Sequence, residues 1–136
     1  SAFLNFFKKK SSNFYYLSLI YENNQWCIHG LWPQLDKNNY PTFCKPVVFD
    51  ESKLSSILPD LNKYWHSNRG SNENFWEHEW KKHGSCMFQN MNEFDYFNKT
   101  LELFAFVKNS NIIEKYKIND TALIPFSLQF TLLKKK

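Results

Sequence analysis

The densest chemistry in the chain lies in Phe75-Trp76-Glu77-His78-Glu79-Trp80-Lys81-Lys82-His83-Gly84-Ser85-Cys86, a stretch with two histidines, two acids, two lysines and a cysteine. A helix advances about 100° per residue, which would put His78, Glu79, Lys82 and His83 within an arc of about 140°. One face then carries two imidazoles, a carboxylate and an ammonium, a set that can move protons and hold an anion. Helix propensity does not explain the composition, because Ala, Leu, Glu and Lys are better formers than Trp and His. Gly84 reads as the residue that ends the helix. A second reactive stretch is Trp26-Cys27-Ile28-His29-Gly30-Leu31-Trp32-Pro33. Residues 26–29 read as a short strand stopped by Gly30 and Pro33, with Cys27 and His29 on one face and Trp26 and Ile28 on the other. A histidine just before a tight turn is held firmly yet stays reachable.

Three chemistries compete for these residues. A zinc-protease helix needs two histidines four residues apart. Here they are five apart, and Lys82 at the fourth position repels a divalent cation, so no metal is expected there. A cysteine nucleophile at Cys27 would lie ~6.5 Å along the strand from His29, too far for a nucleophile–base hydrogen bond, so Cys27 reads as a buried free thiol. Two histidines with a cation between them suit in-line transfer at a phosphodiester. One takes a proton from the attacking hydroxyl, the other returns one to the leaving oxygen, and the cation neutralises developing charge. RNA carries its own nucleophile, the 2′-hydroxyl, so neither metal nor protein nucleophile is required. With an unperturbed pKa of about 6.5, histidine fills both roles near neutral or mildly acidic pH. Trp32 and Tyr40 offer flat surfaces on which a base could stack. Trp26, Trp65, Trp76 and Trp80 read as core.

The remaining chain must position these groups. Residues 13–22 are aromatic and branched without Gly or Pro, a strand buried on both faces and hence central. Residues 22–25 read as a turn and residues 34–50 as a loop. Ser52 reads as the cap of a helix with Leu54, Ile57, Leu58 and Leu61 inward, cut into two pieces by Pro59. Tyr64 and Trp65 are packing anchors, and residues 66–74 a polar loop. Asn92 starts an amphipathic helix with Phe94, Phe97, Leu101, Phe104 and Ala105 as its apolar stripe. Residues 122–133 form a strand or a short helix. A length of 136 residues suits one domain, residues 1–136, and 43% hydrophobic content supports a packed core. The net charge of +4 is compatible with a polyanion partner. Lysine triplets at residues 8–10 and 134–136 read as solvated ends. No apolar run of eighteen residues exists, so no membrane-spanning helix is expected. The chain begins with Ser, which reads as a mature product or a fragment with any signal peptide gone. Three cysteines allow one disulfide, and with the sequons at Asn98 and Asn119 they lean towards a secretory route.

The two reactive stretches are similar to the two active-site segments of the ribonuclease T2 family, in the same order and at suitable spacing. The resemblance covers about residues 13–120. It implies an α+β fold, an antiparallel sheet flanked by helices, and metal-independent cleavage of single-stranded RNA through 2′,3′-cyclic phosphates with no cofactor. It implies His83 as general base, His29 as general acid, His78 on phosphate, and Glu79 and Lys82 polarising it or stabilising the transition state. Trp32 and Tyr40 match positions that line a base pocket. Gln34 falls where some relatives carry an acidic base-reading residue. Cys44 and Cys86 match a family disulfide. A secreted or lysosomal/vacuolar monomer follows from the same likeness.

The sequence also departs from that family's pattern. The usual N-terminal disulfide loop is absent, His66 stands where a proline often follows the tryptophan, and relatives continue beyond residue 136 with more sheet and another disulfide. A form truncated at its C-terminus, with an open sheet edge and a thinner core, is therefore expected. The alternatives are a non-catalytic descendant that binds RNA, glycan or another secreted partner, and, more distantly, a histidine-rich metal protein.

Overall fold

The computed structural model describes residues 12–134; the lysine triplet at 8–10 and Lys135 and Lys136 lie outside them. Aromatic and branched side chains from Phe14 onward build β1 (Phe14–Glu22). It pairs antiparallel with β2 (Gln25–Gln34) across a two-residue turn. Asn23 and Asn24 take φ of 52° and 64° there, the left-handed pair a tight hairpin needs and Asn tolerates. β3 (Lys117–Ile118) and β4 (Thr121–Phe126) come from the far end of the chain. β4 pairs antiparallel with β1, giving the sheet order β2-β1-β4-β3. β1 is thus interior, and Phe14 to Leu19 are buried on both faces, as its apolar run implied.

β2 departs from expectation. It continues through Gly30 and Pro33 rather than stopping after His29. Proline is tolerated because β2 is an edge strand. In place of the expected stop at Gly30, the strand carries a bulge one residue earlier. Register passes from Ser18 opposite Gly30 to Leu19 opposite Ile28, leaving His29 as the extra residue. The bulge also corrects the expected pairing of Cys27 with His29 on one face. Ile28 and Leu31 now lie opposite Leu19 and Leu17 on the core side, while Cys27 and Trp32 lie opposite Ile20 and Tyr16 on the other. His29 belongs to neither row and is exposed.

The helices follow. A 3-10 segment (Glu51–Ile57) is capped by Asp50 rather than Ser52, because the Asp50 carboxylate accepts from both the backbone N–H and the hydroxyl of Ser52. Pro59 sits in the first turn of α1 (Leu58–Tyr64), so the two short pieces are present as expected. α2 (Asn72–Lys82) starts on the Ser71 cap, and α3 (Glu93–Asn109) on the Asn92 cap. The buried stripe of α3 is Tyr96, Phe97, Thr100, Leu103, Phe104 and Val107; Ala105 is exposed, so the stripe is rotated from the expected one. Tyr96 and Leu103 take the inward positions because Tyr96 reaches across to β2, where its hydroxyl donates to Leu31 O at 2.9 Å. α4 (Ile113–Tyr116) leads into β3. The segment left as strand or short helix is strand through Phe126, then a turn that returns Leu132 to bridge Phe126. One core joins the inner sheet face to Leu54, Leu61, Trp65, Trp76, Trp80 and the α3 stripe. Among the described residues no helix is long and apolar enough to cross a membrane.

Candidate active site

Two tryptophans fix α2. Trp76 Nε1 donates to Trp65 O at 2.6 Å, and Trp80 Nε1 donates to Val48 O at 3.1 Å. Both rings are buried, so the opposite face of α2 is left to line a cleft. His83 is the last αR residue of the helix, and its N–H donates to Glu79 O at 2.9 Å. Gly84 does not end the helix in a left-handed conformation; it opens a 3-10 turn, Gly84–Cys86. Its lack of a side chain serves packing, since a Cβ there would lie 2.2 Å from the Trp80 ring.

The cleft, of about 460 Å³, lies between α2 and the outer face of the sheet. It brings together every residue singled out for chemistry or base contact: His29, Trp32 and Gln34 from β2, Tyr40 from the following loop, and His78, Glu79, Lys82 and His83 from α2 and its cap. Trp32 Nε1 donates to Glu79 Oε1 at 3.0 Å. The Trp32 ring stacks on His83, with centroids 5.1 Å apart, and meets His29 edge-on at 5.0 Å. Trp32 is therefore the hub that holds both histidines and the carboxyl. Tyr40, 55% exposed, presents the open aromatic surface. Gln34 is buried, with Nε2 donating to Asp36 O at 3.1 Å, which leaves its carbonyl oxygen available. Gly30 allows the strand to approach α2, because a Cβ would lie 2.1 Å from Glu79 Oε1. The bulge is pinned from below, where Trp65 Nε1 donates to His29 O at 3.1 Å.

Burial dominates the electrostatics. It lowers His83 to about 3, with Lys82, His78 and His29 adding repulsion. His29 is exposed at the bulge but partly desolvated by the cleft walls, which lowers it, helped by Lys82 and His78. Burial raises Glu79 to about 7, against the opposing pull of the Trp32 N–H and Lys82. His83 is thus a neutral imidazole over the ordinary pH range, and its Nδ1 is buried without a partner among the described residues. In mildly acidic solution Glu79 is a neutral carboxyl that can donate a hydrogen bond to an anion instead of repelling it.

The loop after β2 is tied to the end of α2. Cys44 and Cys86 form a disulfide with Cα atoms 5.1 Å apart. Phe43 N donates to Lys82 O at 2.9 Å, and Cys44 N donates to Ser85 Oγ at 3.0 Å. Cys27 is free and buried. The cleft also takes in Phe75, Lys37 and Asn38, which sequence reasoning missed. Phe75 lies one turn before His78, so helical spacing could have found it; Lys37 and Asn38 arrive only through the fold of the loop. A separate cluster of Glu22, Cys27 and His66 also went unforeseen.

A family model described as Ribonuclease T2 family matches residues 7–129. Ribonuclease 1 of Arabidopsis thaliana is 43% identical over 82 residues, covering 56% of this chain and 35% of the relative. Ribonuclease T2 of Sus scrofa is 36% identical over 100 residues, covering 68% of this chain and 48% of the relative. The chain thus spans about a third to a half of the length of these curated relatives. Among solved structures, an RNase-related protein from Calystegia sepium superimposes with a TM-score of 0.73 at 20% identity, over 92% of this chain and 91% of that one, a likeness of fold.

Proposed function

Since the chain belongs to the ribonuclease T2 family, we propose that it is an endoribonuclease that cleaves single-stranded RNA through a 2′,3′-cyclic phosphate. The observation that carries this reading is the single cleft in which His29, His78, Glu79, Lys82 and His83 converge. His83, held neutral by burial, takes the proton from the 2′-hydroxyl. The 2′-oxygen attacks phosphorus, the bond to the 5′-oxygen breaks, and His29 gives that oxygen its proton. The products are a 2′,3′-cyclic phosphate and a free 5′-hydroxyl, with protons balanced between the two imidazoles. Lys82 and His78 contact the phosphate oxygens, and the neutral Glu79 carboxyl donates to one of them as charge develops. The nucleophile comes from the substrate, so no metal takes part in bond breaking. Tyr40 stacks the base beside the scissile bond, and the Gln34 carbonyl reads its edge. Lys37 adds a cation at the cleft mouth for an adjoining phosphate.

The Cys44–Cys86 disulfide supports a protein of the secretory route, secreted or lysosomal/vacuolar. Asn119 is exposed in the turn between β3 and β4 and is the more accessible sequon. The deciding experiment is a digest of single-stranded RNA in EDTA with analysis of product ends. Cyclic phosphate and 5′-hydroxyl ends are expected; intact RNA, or cleavage that appears only with added metal, would sink the reading.

A further inference from the structure

We propose that Glu22, Cys27 and His66 form a binding site for a thiophilic divalent cation of the zinc class, separate from the candidate active site. Glu22 and Cys27 flank the β1–β2 turn, five positions apart, and His66 arrives from the position after the buried Trp65. Their ligand atoms nevertheless lie within 4.8 Å of one another. His66 Nε2 and Glu22 Oε1 are 3.3 Å apart. Two ligands at ~2.0–2.1 Å from a tetrahedral ion are separated by about that distance. Closing the thiol onto the same ion requires a shift of about 1 Å, given a Zn–S bond of ~2.3 Å.

The surroundings orient the ligands. Asn68 Nδ2 donates to Glu22 Oε2 at 2.5 Å, which leaves Oε1 turned to the imidazole. Gln25 Nε2 lies 3.6 Å from Cys27 Sγ as donor. Such outer contacts fix ligand direction at metal sites. The contact between Glu22 and His66 accounts for two of the groups; it gives no reason for a buried thiol to converge on them. A thiolate, an imidazole and a carboxylate favour zinc-class ions over calcium or magnesium, which take oxygen ligands. When the ion binds, the Sγ–H bond breaks, the proton leaves to solvent, and the sulfur lone pair forms the Sγ–metal bond. The thiolate and Glu22 then balance the two positive charges. The ion clamps the α1–α2 loop to the β1–β2 hairpin. That loop walls a second cleft of about 410 Å³, which shares His29, Phe75 and His78 with the first.

Cobalt(II) is a suitable probe, because Cys44 and Cys86 are bonded and Cys27 is the one thiol left under non-reducing conditions. The wild-type chain should take up one cobalt with a thiolate-to-metal charge-transfer band that zinc displaces. Cys27→Ser and His66→Asn should each abolish the band, while His78→Asn and His83→Asn keep it. If Cys27→Ser fails to fold, His66→Asn carries the test. An absent band, a band that survives Cys27→Ser, or one lost only with His78→Asn or His83→Asn would overturn the proposal. The readout is spectroscopic, so it stands apart from whether RNA is cleaved.

Discussion

At the scale of single residues, burial sets the protonation states on which the proposed reaction depends. His83 falls to about 3, so above that pH it is unprotonated and its lone pair is open to accept a proton. His29 is lowered from 6.5 by partial desolvation in the cleft and by its cationic neighbours, yet must carry a proton to act as acid. The kcat/KM profile should therefore be a bell. Its acid limb lies near the His83 value, and its alkaline limb begins below pH 6.5 as His29 loses its proton. A profile that keeps rising above pH 7 would contradict these roles. His29→Ala and His83→Ala should each lower kcat/KM at least about a hundredfold while the far-ultraviolet spectrum stays native. Trp32→Phe should raise the Glu79 pKa further, because the N–H that opposes burial is gone; a carboxyl-resolved NMR titration reads this directly.

At the scale of elements, the β2 bulge is the device that joins sheet chemistry to helix chemistry. It places His29 outside both side-chain rows, Trp65 pins its carbonyl, and Gly30 lets α2 approach. Gly30→Ala should force Glu79 and Trp32 apart. The expected cost is about 1–3 kcal/mol of stability, from overpacking, with a larger loss of activity. Trp65→Phe removes the hydrogen bond to His29 O and should cost about 1 kcal/mol in a denaturant titration. These two variants separate the bulge's packing from its pinning, since only Gly30→Ala puts new atoms into the cleft.

At the scale of the whole molecule, the disulfide and the buried titratable pair set when the fold persists. The Cys44–Cys86 bridge closes a loop with a sequence separation of 42, for which chain entropy gives about 4 kcal/mol. A thermal melt with a reductant should show a marked fall in Tm. The pH dependence has two opposing slopes. His83 is about 3 folded against 6.5 ordinarily, so the unfolded chain binds the proton first and stability falls as pH drops through that window. Glu79 is about 7 folded against 4.5 ordinarily, so it stabilises at low pH and that contribution is lost as pH rises from 4.5 to 7. The two offset between 4.5 and 6.5. Below 4.5 only the His83 loss continues, and His83→Gln should show a smaller fall in Tm there than the wild type.

The sequence by itself determined the helix face and the central strand. Helical spacing put His78, Glu79, Lys82 and His83 together, and an unbroken apolar run marked β1 as interior; both are local, periodic properties. It also marked Asn92 as a cap and cut the helix it began at Ser52 into two pieces at Pro59. It misread β2, because a bulge and an edge proline are legible only once the partner strand is known. It misplaced the α3 stripe by a fraction of a turn, since Tyr96 faces inward to reach Leu31 O, a bond across 65 positions. Trp32 looked like a stacking surface, and the fold made it the hub between His29, His83 and Glu79. Only tertiary structure decided the pKa order of these groups, because burial depends on what packs around them. Only it brought Glu22, Cys27 and His66 together, three residues with no shared periodicity.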